Sequence, residues 1–297
     1  PGPVNWAPYN PAPLPGMVRF WTWEAFAHGA EAVCYFRWRQ APFAQEQLHA
    51  GMLRPDSAEA PAIVEARQVA EELVGADEVA PSQAPVALLF DYDAEWAWQV
   101  QPHGQGLSYF DLVLEHYRAL RRAGLSVDIV APTQSDFSGY ALILAPGLMH
   151  LTDNLRQALA KAEGQVLYGP RTGARDADFK IPTSPLPPAL DGLEVVVAAV
   201  ESIRPDMPLP LANVDGAVTG YLETLETAAE VLVETAAGQP VAVAAANQVY
   251  CAGWLDGDGL DHLVATLCAR AGLGICKMPE GVRRRQTATE EFWFNHL

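Results

Sequence analysis

The sequence predicts an α/β protein in two parts: the closing units of a (β/α) barrel, followed by an open, doubly wound sheet covered by helices. Three observations carry this expectation. Residues 1–76 run loop, helix, strand, loop, helix, the rhythm of a barrel with room for only its last quarter. A polar, proline-containing linker then occupies residues 77–85 (DEVAPSQAP). From 86 to 273, short apolar runs alternate with helical segments, the pattern of parallel βαβ units buried on both faces.

The elements follow in order. The opening PGPVNWAPYNPAPLP is rich in proline, which donates nothing to a ladder and restricts its predecessor, so an irregular extended loop is expected. Met17–Gly29 has helical apolar spacing and stops at a glycine suited to a C-cap. Ala32–Trp38 (AVCYFRW), β-branched and aromatic, reads as a buried strand. Ala60–Gly75 reads as an amphipathic helix with its charges outward.

Beyond the linker, strands are expected at Val86–Phe90, Val127–Val130, Ala141–Ala145 and Gln165–Tyr168, with helices at Tyr109–Ala123 and Asp153–Glu163. A β-rich insertion supplies strands at Leu193–Val200, Glu230–Glu234 and Val241–Ala245. Val249–Gly253 closes the sheet and leads into a helix at Asp258–Arg270. Residues 274–297 contain one aromatic strand, Glu291–Phe294, which cannot bury its own face and reads as the start of a β-domain cut short. With a Pro-Gly-Pro opening in place of Met, the chain is expected to be truncated at both ends.

Composition narrows the function. Of 297 residues, 50% are hydrophobic and 19% charged, ordinary for a core-forming protein. A net charge of −17 repels phosphate backbones and anionic headgroups, arguing against nucleic acid and membrane as partners. No apolar run is long enough to span a bilayer, and no signal peptide is visible. Cys34, Cys251, Cys268 and Cys276 form no C-x-x-C pair, so neither a disulfide framework nor a zinc site is expected; reduced thiols in the cytoplasm are. No glycine-rich phosphate loop is present, and no cofactor is expected.

The strings PGPVNWAPYNPAPLPGM, RFWTWEAFAHGAE, YFRWRQAP and EQLHAGML place rare residues at fixed spacing. Together they resemble the nucleophile-end loop and final βα unit of the glycoside hydrolase family 42 β-galactosidases. LFDYDAEWAW, LSVDIVAP and LILAPGL extend the likeness. The resemblance implies that residues 1–76 end a catalytic (β/α)8 barrel and that residues 86–273 form a flavodoxin-like, class I amidotransferase-like trimerisation domain. It further implies a retaining hydrolase of terminal β-D-galactosyl residues, acting as a homotrimer on β-galactosides. In that family the nucleophilic glutamate precedes the Pro-Gly with which this sequence begins, and the acid/base lies further upstream. Because the retaining mechanism needs both carboxyls about 5 Å apart, the resemblance implies that these residues alone carry no catalytic residue and no hydrolysis.

Four residues match sugar-contacting positions of the family: Trp6, Phe36, Glu46 and His49. Read alone, Trp6 is equally an anchor for a proline-rich loop, Phe36 a core residue, and the E-x-x-H pair a solvated helical face. The resemblance turns Trp6 into a stacking wall for a pyranose. It turns Glu46 and His49, on one face of a helical turn, into partners for neighbouring hydroxyls. Phe36 would line the same pocket at the end of the last barrel strand. Arg37 and Arg39 read more readily as structural ion pairs than as supports for catalytic carboxylates, and His28 as a cap.

Two other readings stand beside the galactosidase. One is a non-catalytic oligomerisation or carbohydrate-binding module. The other is a stand-alone flavodoxin-like hydrolase using Cys251 or another, unrecognised nucleophile, weakened because the expected nucleophile turn, Tyr168–Gly173, contains no cysteine.

Overall fold

The computed structural model describes the chain apart from Pro1, Asn5, Asp77, Glu78 and Pro81. Its contacts divide into two units, residues 1–82 with 285–297, and residues 83–284.

In the first unit, α1 (Met17–Ala27) and α2 (Pro61–Leu73) flank a long connection containing a single 3-10 turn, Gln45–Leu48. Pro61 opens α2, where its missing N–H costs nothing. Glu72 ties the two helices together, accepting from Arg19 Nε at 2.7 Å and Trp23 Nε1 at 2.7 Å. Val18, Met52, Ala62 and Ile63 form a small core between them. Gly29, at φ 88°, closes α1, and His28 Nδ1 lies 2.8 Å from the Glu24 carbonyl oxygen, the capping role expected of it.

The buried strand expected at Ala32–Trp38 does not form. The segment is extended, but Phe36 and Trp38 are exposed. Its pairing is confined to the neighbourhood of one bridge, Arg39 to Leu53, supported by Met52 N to Arg37 O at 2.7 Å and Leu53 N to Trp38 O at 2.8 Å. Residue type had reported β-propensity; a ladder also needs a partner of matching length.

The second unit begins with β1 (Val86–Leu89), α3 (Tyr92–Val100), α4 (Tyr109–Arg122), β2 (Val127–Val130), β3 (Leu142–Ala145), α5 (Asp153–Ala160) and β4 (Gln165–Tyr168). The four strands pair in parallel in the order β2-β1-β3-β4. Val86–Leu89 and Leu142–Ala145 are buried throughout, which is why they read as uninterrupted apolar runs. Side chains cap the helices: Ser108 accepts from Asp111 N, and Thr152 from Leu155 N.

The chain continues through β5 (Val195–Ser202), β6 (Leu209–Pro210), β7 (Ala217–Thr227), β8 (Glu230–Glu234), β9 (Pro240–Ala245), β10 (Gln248–Cys251), β11 (Gly253–Leu255) and α6 (Gly257–Arg270). β10 joins β4 in parallel, and β9 and β8 complete a seven-stranded sheet antiparallel to it. A second sheet, ordered β11-β7-β5 with β6 on β7, carries the insertion. α4 packs on α6, fastened by a bidentate Arg122–Asp261 pair. The doubly wound α/β class with its β-rich insertion is therefore as expected.

β12 (Val282–Gln286) pairs with β13 (Glu291–Asn295), so the aromatic strand expected at the C-terminus is not alone. In the first unit, Phe294 of β13 meets Phe20 of α1 edge-on, 5.4 Å between centroids. Among the described residues no helix is long and apolar enough to cross a membrane.

Candidate functional site

The 3-10 turn Gln45–Leu48 is the pivot of the first unit's candidate site. One helical turn separates Glu46 from His49, and the His49 N–H donates to the Glu46 carbonyl at 3.0 Å. The side chains converge as well, His49 Nδ1 lying 3.9 Å from Glu46 Oε1. Arg37 Nη1 donates to Glu46 Oε2 at 3.0 Å, fixing the carboxylate from its other side. The structural ion pair expected of Arg37 thus orients Glu46, whereas Arg39 reaches Ser57 Oγ at 3.2 Å.

Two aromatic rings complete the constellation. Trp6 meets the His49 ring edge-on at 5.2 Å, and Phe36 does so at 6.1 Å. Arg37 lies 5.3 Å from the Phe36 ring centroid. The proline-rich loop is tied to the turn by Ala50 N donating to Pro3 O at 3.1 Å. All four sequence-singled residues are therefore brought together.

Their exposures differ in an informative way. Trp6 is 65% and Phe36 60% exposed, so neither serves as a core anchor here, and the imidazole between them is 3% exposed. Neither His49 ring nitrogen has a hydrogen-bond partner among the described residues. A buried imidazole always has at least one donor or acceptor to satisfy, so an unpaired one is costly unless a ligand completes it. The arrangement can therefore offer a polyol a carboxylate acceptor, an imidazole donor or acceptor, and two apolar ring surfaces.

Comparison with known proteins gives the family. Residues 1–76 match the family described as "Beta-galactosidase", and residues 84–274 match the "Beta-galactosidase trimerisation domain". The chain belongs to the glycoside hydrolase family 42 β-galactosidases. It is 45% identical to a β-galactosidase of Thermus thermophilus over all of this chain and 46% of that protein. A Halorubrum lacusprofundi β-galactosidase, Bga, is 36% identical over 95% of this chain and 44% of its own. Among solved structures, the β-galactosidase of the psychrophilic Marinomonas ef1 superposes with a TM-score of 0.94 at 40% identity, covering all of this chain and 47% of that one. The chain spans about half the length of the curated relatives it matches.

The family 42 chain shows a second cluster, in its second unit, that no sequence pattern announced. Glu223 on β7 is 1% exposed, and Tyr221, Tyr250 and Arg171 gather around it. These residues come from separate parts of the chain and share no motif, and within β7 (AVTGYLETLET) nothing sets Glu223 apart from its polar neighbours. Cys251, adjacent to this cluster, is buried, and desolvation pushes its thiol up to about 12. A thiol so protonated is no nucleophile at neutral pH, which argues against the Cys251 hydrolase. Nearby, His103 stands edge-on to Tyr221, and His150 Nδ1 lies 3.4 Å from Arg175 O.

Proposed function

We propose that this family 42 chain forms part of a retaining β-galactosidase that removes terminal β-D-galactosyl residues, and that Trp6, Phe36, Glu46 and His49 line its galactose subsite. The single observation that carries the reading is the buried His49 imidazole, without a hydrogen-bond partner among the described residues, flanked by a carboxylate and two exposed rings. Glu46, held by Arg37, accepts from sugar hydroxyls, and His49 satisfies itself on a neighbouring hydroxyl. Trp6 covers the apolar face of the pyranose. A retaining mechanism needs two carboxyl groups about 5 Å apart, and we assign neither role to a residue of this chain.

Residues 1–76 then act as the end of the catalytic barrel, joined by residues 77–85 to an assembly domain at 86–273, with 274–297 opening a further β-domain. The assembly is a homotrimer, a reading supported by the family description matched over residues 84–274. Four free cysteines fit the reducing cytoplasm.

The experiment is titration of the chain with methyl β-D-galactoside, read by tryptophan fluorescence, with methyl β-D-glucoside as the epimer control. Saturable, galactoside-selective binding that His49→Ala and Glu46→Ala each weaken is the expected result. Equal response to both sugars, or binding indifferent to both variants, removes the subsite. Sedimentation equilibrium tests assembly: three copies of the 32.1 kDa chain are expected, and a monomer overturns that part.

A further inference from the structure

Immediately beyond the carboxyl end of β4, the turn through Gly169 and Pro170 presents Arg171 in left-handed backbone, φ 65°, at a cavity of about 300 Å³. Crevices at the carboxyl ends of strands are where open α/β sheets receive ligands, and this volume suits a small one. Arg171 is buried, its guanidinium 4.3 Å from the Trp98 ring centroid. Its Nη2 donates to Gln101 O at 2.7 Å and its Nη1 to Pro102 O at 3.3 Å. Arg175 lines the same cavity, donating to Gln101 Oε1 at 2.7 Å and Ala174 O at 2.8 Å. Neutral acceptors thus orient both cations without cancelling their charge.

The carboxylate in the lining offsets them only in part. Glu223 Oε1 accepts from Arg171 N at 3.0 Å and Tyr221 OH at 3.1 Å, and Oε2 accepts from Tyr250 OH at 2.7 Å. Burial pushes its carboxyl up to about 7, against those hydrogen bonds. Tyr221 and Tyr250, also in the lining, have their pKa values raised by burial and stay neutral, and His103 has its pKa lowered by burial and then by the charges of Arg171 and Arg175. That part of the lining is therefore positive, and retaining the buried Arg171 beside a second, half-buried guanidinium is costly unless an anion arrives. Much of the remaining lining is hydrocarbon: Ile181, Leu186, Val197, Val200 and the small Ala199.

We infer that this cavity binds a small organic monocarboxylate, its carboxylate directed at Arg171 and Arg175 and its apolar body against β5. A planar carboxylate matches the fork of a guanidinium. The apolar wall favours an acid with a hydrocarbon body over a compact inorganic anion. The site lies wholly within the second unit and does not depend on the galactoside reading.

Isothermal titration of the chain at neutral pH with benzoate, benzyl alcohol and inorganic phosphate tests this. Benzoate is expected to bind saturably, and benzyl alcohol and phosphate far more weakly. Arg175→Gln, which leaves the buried Arg171 in place, is expected to weaken benzoate roughly tenfold or more. Ala199→Phe fills the apolar part of the cavity without touching a charge and is expected to abolish binding. No saturation by benzoate, phosphate binding as tight as benzoate, or either variant binding benzoate like the parent overturns the inference. Should Arg175→Gln fail to fold, Ala199→Phe decides alone.

Discussion

Trp6 and His49 meet edge to face, their ring centroids 5.2 Å apart at an interplanar angle of 74°. The contact leaves the indole largely in solvent while the imidazole beneath it is sealed from water on both nitrogens. A residue placed for stability alone would have its polar atoms paired.

This gives the first prediction. His49→Leu removes a buried polar ring that has no hydrogen-bond partner among the described residues and replaces it with hydrocarbon of similar reach. Unfolding of the variant in urea should cost about 1–2 kcal/mol more than the parent. The same variant should lose galactoside binding in the fluorescence titration. Destabilisation together with unchanged sugar binding would show that His49 is an ordinary core residue.

Glu223 supplies a pH dependence. Burial raises its folded pKa to about 7 from an ordinary value of 4.5, so the folded chain holds this proton more tightly than the unfolded one. The stability it contributes is complete below pH 4.5 and is lost as pH rises through about 7. A shift of that size corresponds to roughly 3 kcal/mol. Glu223→Gln keeps the shape but not the titration. The difference in unfolding free energy, variant minus parent, should therefore climb between pH 5 and 8 by roughly that amount. A difference that stays flat across this range would mean that the carboxyl titrates normally.

How much of this was legible in the sequence depended on whether function and burial shared a local pattern. Leu142–Ala145 announced itself because both faces of β3 are covered, so every residue is apolar. The spacing put Glu46 and His49 on one face of a turn, but read alone the pair was a solvated helical face, and only the family resemblance marked it as a candidate site. β7, the longest strand, was missed: Thr219, Gly220 and Glu223 interrupt its apolar run, since one stretch faces a polar cluster. α3 was missed too, nine residues being too few to establish a helical period. Arg171 and Glu223 lie 52 positions apart and meet only through the second sheet, a juxtaposition that no window along the chain reports.

The thiols form two classes. Cys34 and Cys276 are exposed, while Cys251 and Cys268 are buried, with desolvation raising them to about 12 and about 11. At neutral pH a thiol near 12 has roughly a thousandfold less thiolate than one near 9. A chromogenic disulfide reagent should modify Cys34 and Cys276 in native protein and reach the other pair only on unfolding. Rapid native labelling of Cys251, located by peptide mapping, would revive the nucleophile reading set aside on its burial.

The last prediction compares two glycines whose backbones are alike and whose surroundings are not. Gly169 and Gly192 both sit at φ 81°. A side chain there meets the left-handed penalty of roughly 1–2 kcal/mol in either case. At Gly192 a Cβ meets nothing within 4 Å, so Gly192→Ala should cost about that penalty and no more. At Gly169 the added carbon would stand 2.2 Å from the Cys251 carbonyl oxygen, backbone that is fixed in β10 beside β4. Neither strand can retreat without breaking the parallel ladder that ends at Tyr168 and Tyr250. Gly169→Ala should therefore cost at least about 3 kcal/mol more than Gly192→Ala in urea unfolding, in line with overpacking against an unyielding core. It should also displace Arg171, two residues on, and weaken benzoate binding at the cavity beyond β4. Equal costs for the two variants would mean that the turn after β4 is free to move, and the fixed placement of Arg171 would go with it.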